Sequence, residues 1–238
     1  MKVENKKWKV IVTCEHGGND IPKAYRHLFE VHGDLLASHR GYDLGALGYA
    51  RKLAAWLDAP LFFATTSRLL ADLNRTPGHP RLFSEITRPL EAVTKKAILE
   101  KYHGPHWQRV QAAVRESLAA NQWVVHIACH SFTPVLDGHL RAMDVGLLYD
   151  PRREAERRFC HQWKTTLTDL APDLRVRRNA PYKGVSDGLA THLRTLYPGN
   201  YLGIELELNQ RDFIENRARW RALCAAAIES LAATLRRG

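Results

Sequence analysis

Two histidines each close an apolar, β-branched run: His16 follows KVIVTC and Glu15, and His130 follows WVVHIAC. A catalytic zinc site takes three nitrogen or oxygen ligands and keeps one position open for water. Two imidazoles at the same end of a parallel sheet suit that chemistry. Asp43, at the first turn of the next helix, is a candidate third ligand, although an acid there also complements the helix dipole. Glu15 and Asn19 are alternatives. Strand alternation puts Glu15 and His16 on opposite faces, so the two are not expected to share one ion.

The run GIELELNQR carries Glu205 and Glu207 two residues apart, on one face of a strand. Carboxylates in an apolar strand are costly if buried alone, so they are expected to line a polar site. A glutamate there can act as general base and then as general acid toward a leaving amine. Its structural alternative is an ion pair with Arg178 or Lys183. In SRLLADLNR, Arg68 and Arg75 are forked donors suited to carboxylates, with Asp72 an obvious internal partner. Asn179, Tyr182 and Lys183 in NAPYKG either line a pocket or form an ordinary turn. His103 and His106 share a helix face if a helix continues through Gly104-Pro105, and they are read as structural. Cys129 alternates away from His130, so no cysteine nucleophile is proposed.

These residues need a scaffold that brings strand ends together. Strand segments are read at Lys9–Cys14, Pro60–Thr65, Trp123–Cys129, Asp144–Tyr149, Leu174–Arg178 and Tyr201–Leu208. Helices are read at Asp43–Leu57, across Glu91–Ala120 with an interruption near Gly104-Pro105, and at Pro151–Leu170, Asp187–Tyr197 and Asp212–Arg236. Such alternation predicts an α/β fold in three layers, a mostly parallel or mixed sheet with helices on both faces. Ligand sites in such sheets lie beyond the carboxyl ends of the strands. No composition shift divides the chain, so residues 1–238 are read as one domain.

Composition narrows the partners. The 238 residues are 45% hydrophobic and 25% charged, which excludes a disordered or low-complexity chain. Lys+Arg number 35 against 25 Asp+Glu, a net charge of +10 that suits an acidic small molecule. The basic residues are dispersed, and the densest group, Arg152 to Arg158, is interleaved with Glu154 and Glu156. That argues against nucleic acid. No apolar run approaches the roughly 20 residues of a membrane span. No signal-peptide pattern is read at the N-terminus, so a cytoplasmic protein is expected. The four cysteines form no CxxC, which argues against a zinc knot or a disulfide framework.

Taken in order, VTCEHGGNDIP, YDLGA, SRLLADLNR, HSF, MDVGLLYDP, RRNAPYKG and GIELELNQR resemble the N-formylglutamate amidohydrolase family over most of the chain. That family is similar in turn to zinc carboxypeptidases, aspartoacylases and N-acetylmuramoyl-L-alanine amidases, which implies a phosphorylase/hydrolase-like α/β fold. The resemblance implies one zinc per chain, or another first-row divalent ion, on His16, Asp43 and His130, and raises Asp43 above Glu15 and Asn19. It implies Glu207, rather than Glu205, as the catalytic glutamate. It also implies Arg68, Asn74 and Arg75 as substrate contacts, with Arg68 polarising the acyl oxygen. The implied activity is hydrolysis of a small acidic N-acyl amino acid, nominally N-formyl-L-glutamate to L-glutamate and formate. This chain departs from the family in the short segment TPGHPRLFSEI after DLNR and in GGND, where many relatives carry a basic residue after Asn. Two other readings remain: a zinc amidase or carboxypeptidase acting on a peptide or peptidoglycan fragment, and a non-catalytic basic binding module.

Overall fold

The computed structural model describes residues 7–237. Strands β1 (Trp8–Cys14), β2 (Leu61–Phe63) and β3 (Trp123–Phe132) precede a small hairpin, β4 (Val135–Leu136) and β5 (His139–Leu140). They are followed by β6 (Val145–Leu148), β7 (Val176–Arg178) and β8 (Tyr201–Asn209). Six of these form one sheet in the order β2-β1-β3-β8-β6-β7. The first four of that order run parallel, and β6 meets β8 antiparallel. The sheet is therefore mixed, with its long central strands parallel as the sequence predicts.

Helices α1 (Gly33–Ala37), α2 (Ala46–Trp56), α3 (Ala92–Ile98), α4 (Gly104–Ala119), α5 (Glu154–Leu170), α6 (Leu189–Leu196), α7 (Arg211–Glu215) and α8 (Arg217–Arg237) complete the fold. Alternation sorts the strand residues. Val10, Val12, Val125, Ile127, Ile204 and Leu206 pack against α2, α5 and α8. Ile11, Val124 and Tyr201 pack on the opposite face against α4 and α6. Sequence and structure thus agree on helices covering both faces. Among the described residues, no helix is long and apolar enough to cross a membrane.

Several boundaries differ from the sequence reading. β3 continues past Cys129 to Phe132, so His130 lies within the strand, because its register with β8 holds to Asn209. α2 starts at Ala46, which leaves Asp43 in the preceding turn, where its N–H donates to the His16 carbonyl (2.9 Å). The final helix breaks at Asn216, whose side-chain oxygen accepts the Arg219 N–H (3.0 Å) and restarts the chain as α8. The β4–β5 hairpin has no apolar alternation long enough to announce it. Its signal is the turn pair Asp137-Gly138, both at positive φ.

Candidate metal centre and pocket

His16 follows β1 in a turn that passes tightly against the chain leaving β2. A Cβ on Gly17 would sit 2.8 Å from the Ala64 carbonyl oxygen, and one on Gly18 would sit 2.7 Å from that of Thr65. Only glycines allow that approach, which keeps His16 at the carboxyl end of the interior strand β1. Asp43 is tied to the same turn by its backbone. His130 rises from β3 directly opposite Glu207 in the β8 register.

These elements converge. His130 Nδ1 lies 2.8 Å from Asp43 Oδ2, and His16 Nδ1 lies 3.5 Å from the same oxygen. One donor atom from each of the three residues falls within 4.8 Å of the others, and all three residues are buried. His16 Nδ1 has no hydrogen-bond partner. A buried, partnerless imidazole nitrogen facing a second imidazole and a carboxylate is an arrangement that a divalent cation satisfies. Two nitrogens and one oxygen are a donor set suited to zinc.

The outer nitrogens of both rings are backed by acids. His16 Nε2 lies 2.7 Å from Asp72 Oδ1, and His130 Nε2 lies 3.4 Å from Glu15 Oε2. Such carboxylates orient ligand histidines. Burial works against ionising Asp43, yet His16 and His130 hold its carboxyl well below the usual range. Burial likewise opposes charge on His130, but Asp43 and Glu15 push it well above an ordinary imidazole. Asp72 is held low, against its burial, by Arg68 and His16.

Glu207 behaves in the opposite way. It is buried and its Oε2 has no partner. Burial pushes its carboxyl up to about 8, with Asp43 and Glu205 adding to the shift and His130 opposing it. Glu205 is less buried and accepts a long contact from Asn74 Nδ2 (3.5 Å).

A cavity of about 380 Å³ opens over this group, walled by His16, Asp43, His130, Glu205 and Glu207 together with Arg68, Asn74, Arg75 and Tyr182. Arg68 is largely engaged: Nη2 and Nε donate to Asp72 Oδ2 at 2.6 and 3.2 Å, and Nη1 lies 3.6 Å from Asp43 Oδ1. Arg75 Nη1 donates to the carbonyls of Asp187 (2.6 Å) and Asn74 (3.0 Å), while its buried Nε has no partner. Asn74 Oδ1 accepts the Leu189 N–H at the start of α6 (2.9 Å). Tyr182 is half-exposed at the rim, and its hydroxyl accepts from Arg141 Nη1 (3.0 Å).

Three sequence candidates stand outside this group. Asn179 does not line the cavity; its side-chain oxygen accepts the N–H groups of Tyr149 and Gly184 (3.0 and 3.1 Å) and shapes the loop instead. Asn19 donates to the Leu36 carbonyl (3.1 Å), and Glu15 lies behind His130 rather than beside the three donors. The sequence reading missed the cavity wall supplied by Phe132, Thr133 and Leu136. The Asp-Gly turn signal described above marks that hairpin.

The sequence profile of a family described as N-formylglutamate amidohydrolase matches residues 8–214. A gene product of Agrobacterium tumefaciens is similar in structure, with a TM-score of 0.81 and 30% identity over 98% of this chain and 93% of its own. An N-formylglutamate amidohydrolase from Ralstonia eutropha JMP134 shares the fold at a TM-score of 0.68 and 15% identity, covering 99% of this chain and 96% of its own. A metallo-carboxypeptidase from Burkholderia cenocepacia overlaps more loosely, at a TM-score of 0.43 and 14% identity over 99% of this chain and 58% of its own. Among curated proteins, none matches the chain.

Proposed function

The chain belongs to the N-formylglutamate amidohydrolase family, and on that premise we propose that it hydrolyses the amide bond of a small acidic N-acyl amino acid, N-formyl-L-glutamate first among them, with zinc held by His16, Asp43 and His130. One observation carries this reading: the partnerless His16 Nδ1 converges with His130 and Asp43 beside a buried glutamate, in a cavity walled by arginine. A divalent ion there supplies Lewis acidity toward the acyl oxygen and the attacking water.

The chain's own residues do the rest. Glu207 Oε2, free of other partners, takes the proton of the attacking water and returns it to the departing amine nitrogen. The burial that holds this carboxyl high suits a group that must both gain and lose a proton near neutral pH. Arg68, fixed by Asp72, supports negative charge growing on the acyl oxygen. Arg75 and Asn74 receive a substrate carboxylate, with Tyr182 at the rim. Asn179 acts through the loop it shapes. The net charge of +10 favours an anionic substrate. On this reading residues 1–238 act as one amidohydrolase domain.

The test is zinc content on the purified full chain, paired with formate release from N-formyl-L-glutamate. About one zinc per chain, lost in His16→Ala and in His130→Ala, is the expected result. A folded chain that takes up no zinc, even when zinc is added, overturns the metal reading. Cleavage of peptides or peptidoglycan fragments but not of N-acyl amino acids overturns the substrate.

A further inference from the structure

We infer that Glu15 and His106 form a buried pair that holds His130 from behind, making Glu15 a positioning residue for the metal centre and His106 the partner that keeps Glu15 in place. The inference rests on the zinc reading above and deepens it.

Glu15 is fully buried, and neither carboxylate oxygen has a hydrogen-bond partner. A carboxylate in that state is expensive, and apolar packing would serve stability better. Its close ionisable neighbours are two imidazoles: Oε2 lies 3.4 Å from His130 Nε2, and Oε1 lies 3.6 Å from His106 Nε2. His106 is itself buried, with neither ring nitrogen hydrogen-bonded. The three groups form a row that leads from α4 to the candidate metal ligand.

The start of α4 is built to reach this site. The chain passes through a π turn at Leu99–His103 before α4 begins, and such turns recur at functional places. Three side chains then point the same way. His103 Nε2 bonds the Arg75 carbonyl (2.7 Å), and Trp107 Nε1 donates to the Leu73 carbonyl (2.7 Å). Both of those hold the backbone of the arginine loop. His106 is the one that meets a carboxylate instead.

The chemistry of His130 explains why a carboxylate belongs there. For Nδ1 to offer a lone pair toward a cation, the ring's proton must sit on Nε2. Two groups approach Nε2: the Asn74 amide nitrogen at 3.5 Å, which cannot accept a proton, and Glu15 Oε2, which can. Here Nδ1 is hydrogen-bonded to Asp43 (2.8 Å); with a cation on Nδ1 in its place, Glu15 is the acceptor that favours the tautomer carrying its proton on Nε2. His106, with Nε2 3.6 Å from the far oxygen, keeps the carboxylate aimed.

The test uses the full chain and reads zinc affinity by competition with a chelator, separately from activity. Glu15→Gln and His106→Gln are each expected to weaken zinc binding by about 10- to 100-fold, the range for groups that orient metal ligands. If the two act as one unit, the double variant is little weaker than either single variant. Trp107→Phe, which removes the Leu73 hydrogen bond and trims the ring that packs on His103 and His192 but leaves Glu15 and His106 in place, is expected to leave zinc affinity unchanged. Thermal unfolding of the metal-free forms separates positioning from packing: lower stability at unaltered zinc affinity overturns the inference. If Glu15→Gln does not fold, His106→Gln interrogates the same row one side chain further from the ion, and wild-type affinity there overturns the inference alone. A wild-type chain that binds no zinc overturns the metal reading and this inference together.

Discussion

The two faces of the central sheet draw on the same strands, β3 and β8 among them, and diverge along their length. On the face under α2, α5 and α8, the series Val125, Ile127, Cys129 and Ile204, Leu206, Leu208 stays apolar and buried to the strand ends. On the face under α4 and α6, Val124 gives way to His126, Ala128 and His130, and Tyr201 gives way to Gly203, Glu205 and Glu207. The first face supplies apolar burial worth about 25 cal/mol per Å². The second spends stability at its carboxyl end, where carboxylates and imidazoles are buried together. Residues one position apart in sequence therefore belong to different tasks, and substitutions can separate them.

Glu207 and Leu206 make the sharpest test of that division. On the proposed mechanism, Glu207→Gln keeps its zinc and its fold and loses about 10²- to 10⁴-fold in kcat, the range for removal of a general acid–base group. Zinc content and formate release measured on one sample decide the matter, and retained turnover would remove Glu207 from the mechanism. Leu206→Ala should do the reverse. It opens a cavity in the apolar face and costs about 2–5 kcal/mol in denaturant unfolding. Its activity per folded molecule should stay near wild type, and a large loss of kcat would show that the faces are coupled.

This division also explains what was legible in the sequence. The order of strands and helices, the mostly parallel sheet and the covering of both faces follow from apolar periodicity, which the long strands β1, β3 and β8 carry plainly. The convergence of His16 and His130 was legible in part, because each closes a strand, whereas Asp43 precedes α2 and was raised above Glu15 and Asn19 only by the family resemblance. The exact end of β3 was not, since His130 and Ser131 look like a turn until their pairing with β8 is known. Asn179 was misplaced because a polar loop residue that braces backbone N–H groups has the same composition signal as one that faces a ligand. Glu15 and His106 lie 91 positions apart, and no local pattern couples them.

pH sharpens the contrast further. In the metal-free chain the Glu207 carboxyl stands at about 8 against 4.5 for an ordinary glutamate. The folded state therefore holds a proton that the unfolded state has released between these values. Its stabilising share is present in full below about 4.5 and is lost as pH rises through about 8. Glu207→Gln removes that dependence. The variant should gain on the wild type as pH rises from 4.5 to 8, by on the order of a few kcal/mol, and then level off. Leu206→Ala carries no such group, and its deficit should be flat across the same range. Parallel pH–stability curves for Glu207→Gln and wild type would show that this carboxyl is not buried as described.

The smallest effect is expected midway along the polar face, where it marks how far the site extends. His126 is fully buried, and burial pushes its imidazole down to about 4, so it is neutral at physiological pH. Its Nδ1 meets the Tyr201 hydroxyl at 2.7 Å and its Nε2 meets the Thr13 hydroxyl at 2.8 Å. A neutral imidazole has one donor and one acceptor, and hydroxyls on both sides can serve either tautomer. Tyr201→Phe leaves one ring nitrogen buried without a partner. The expected cost is about 1–2 kcal/mol, the lower part of the range for an unsatisfied buried group, because the Thr13 hydroxyl can still rotate to suit the remaining tautomer. Neither Tyr201 nor His126 lines the cavity, so kcat and zinc affinity should match wild type. Denaturant unfolding and zinc competition on the same variant check both halves. A loss of zinc affinity along with stability would move the boundary of the functional site one full tier down the sheet, and would make the His126 network part of what orients the metal ligands.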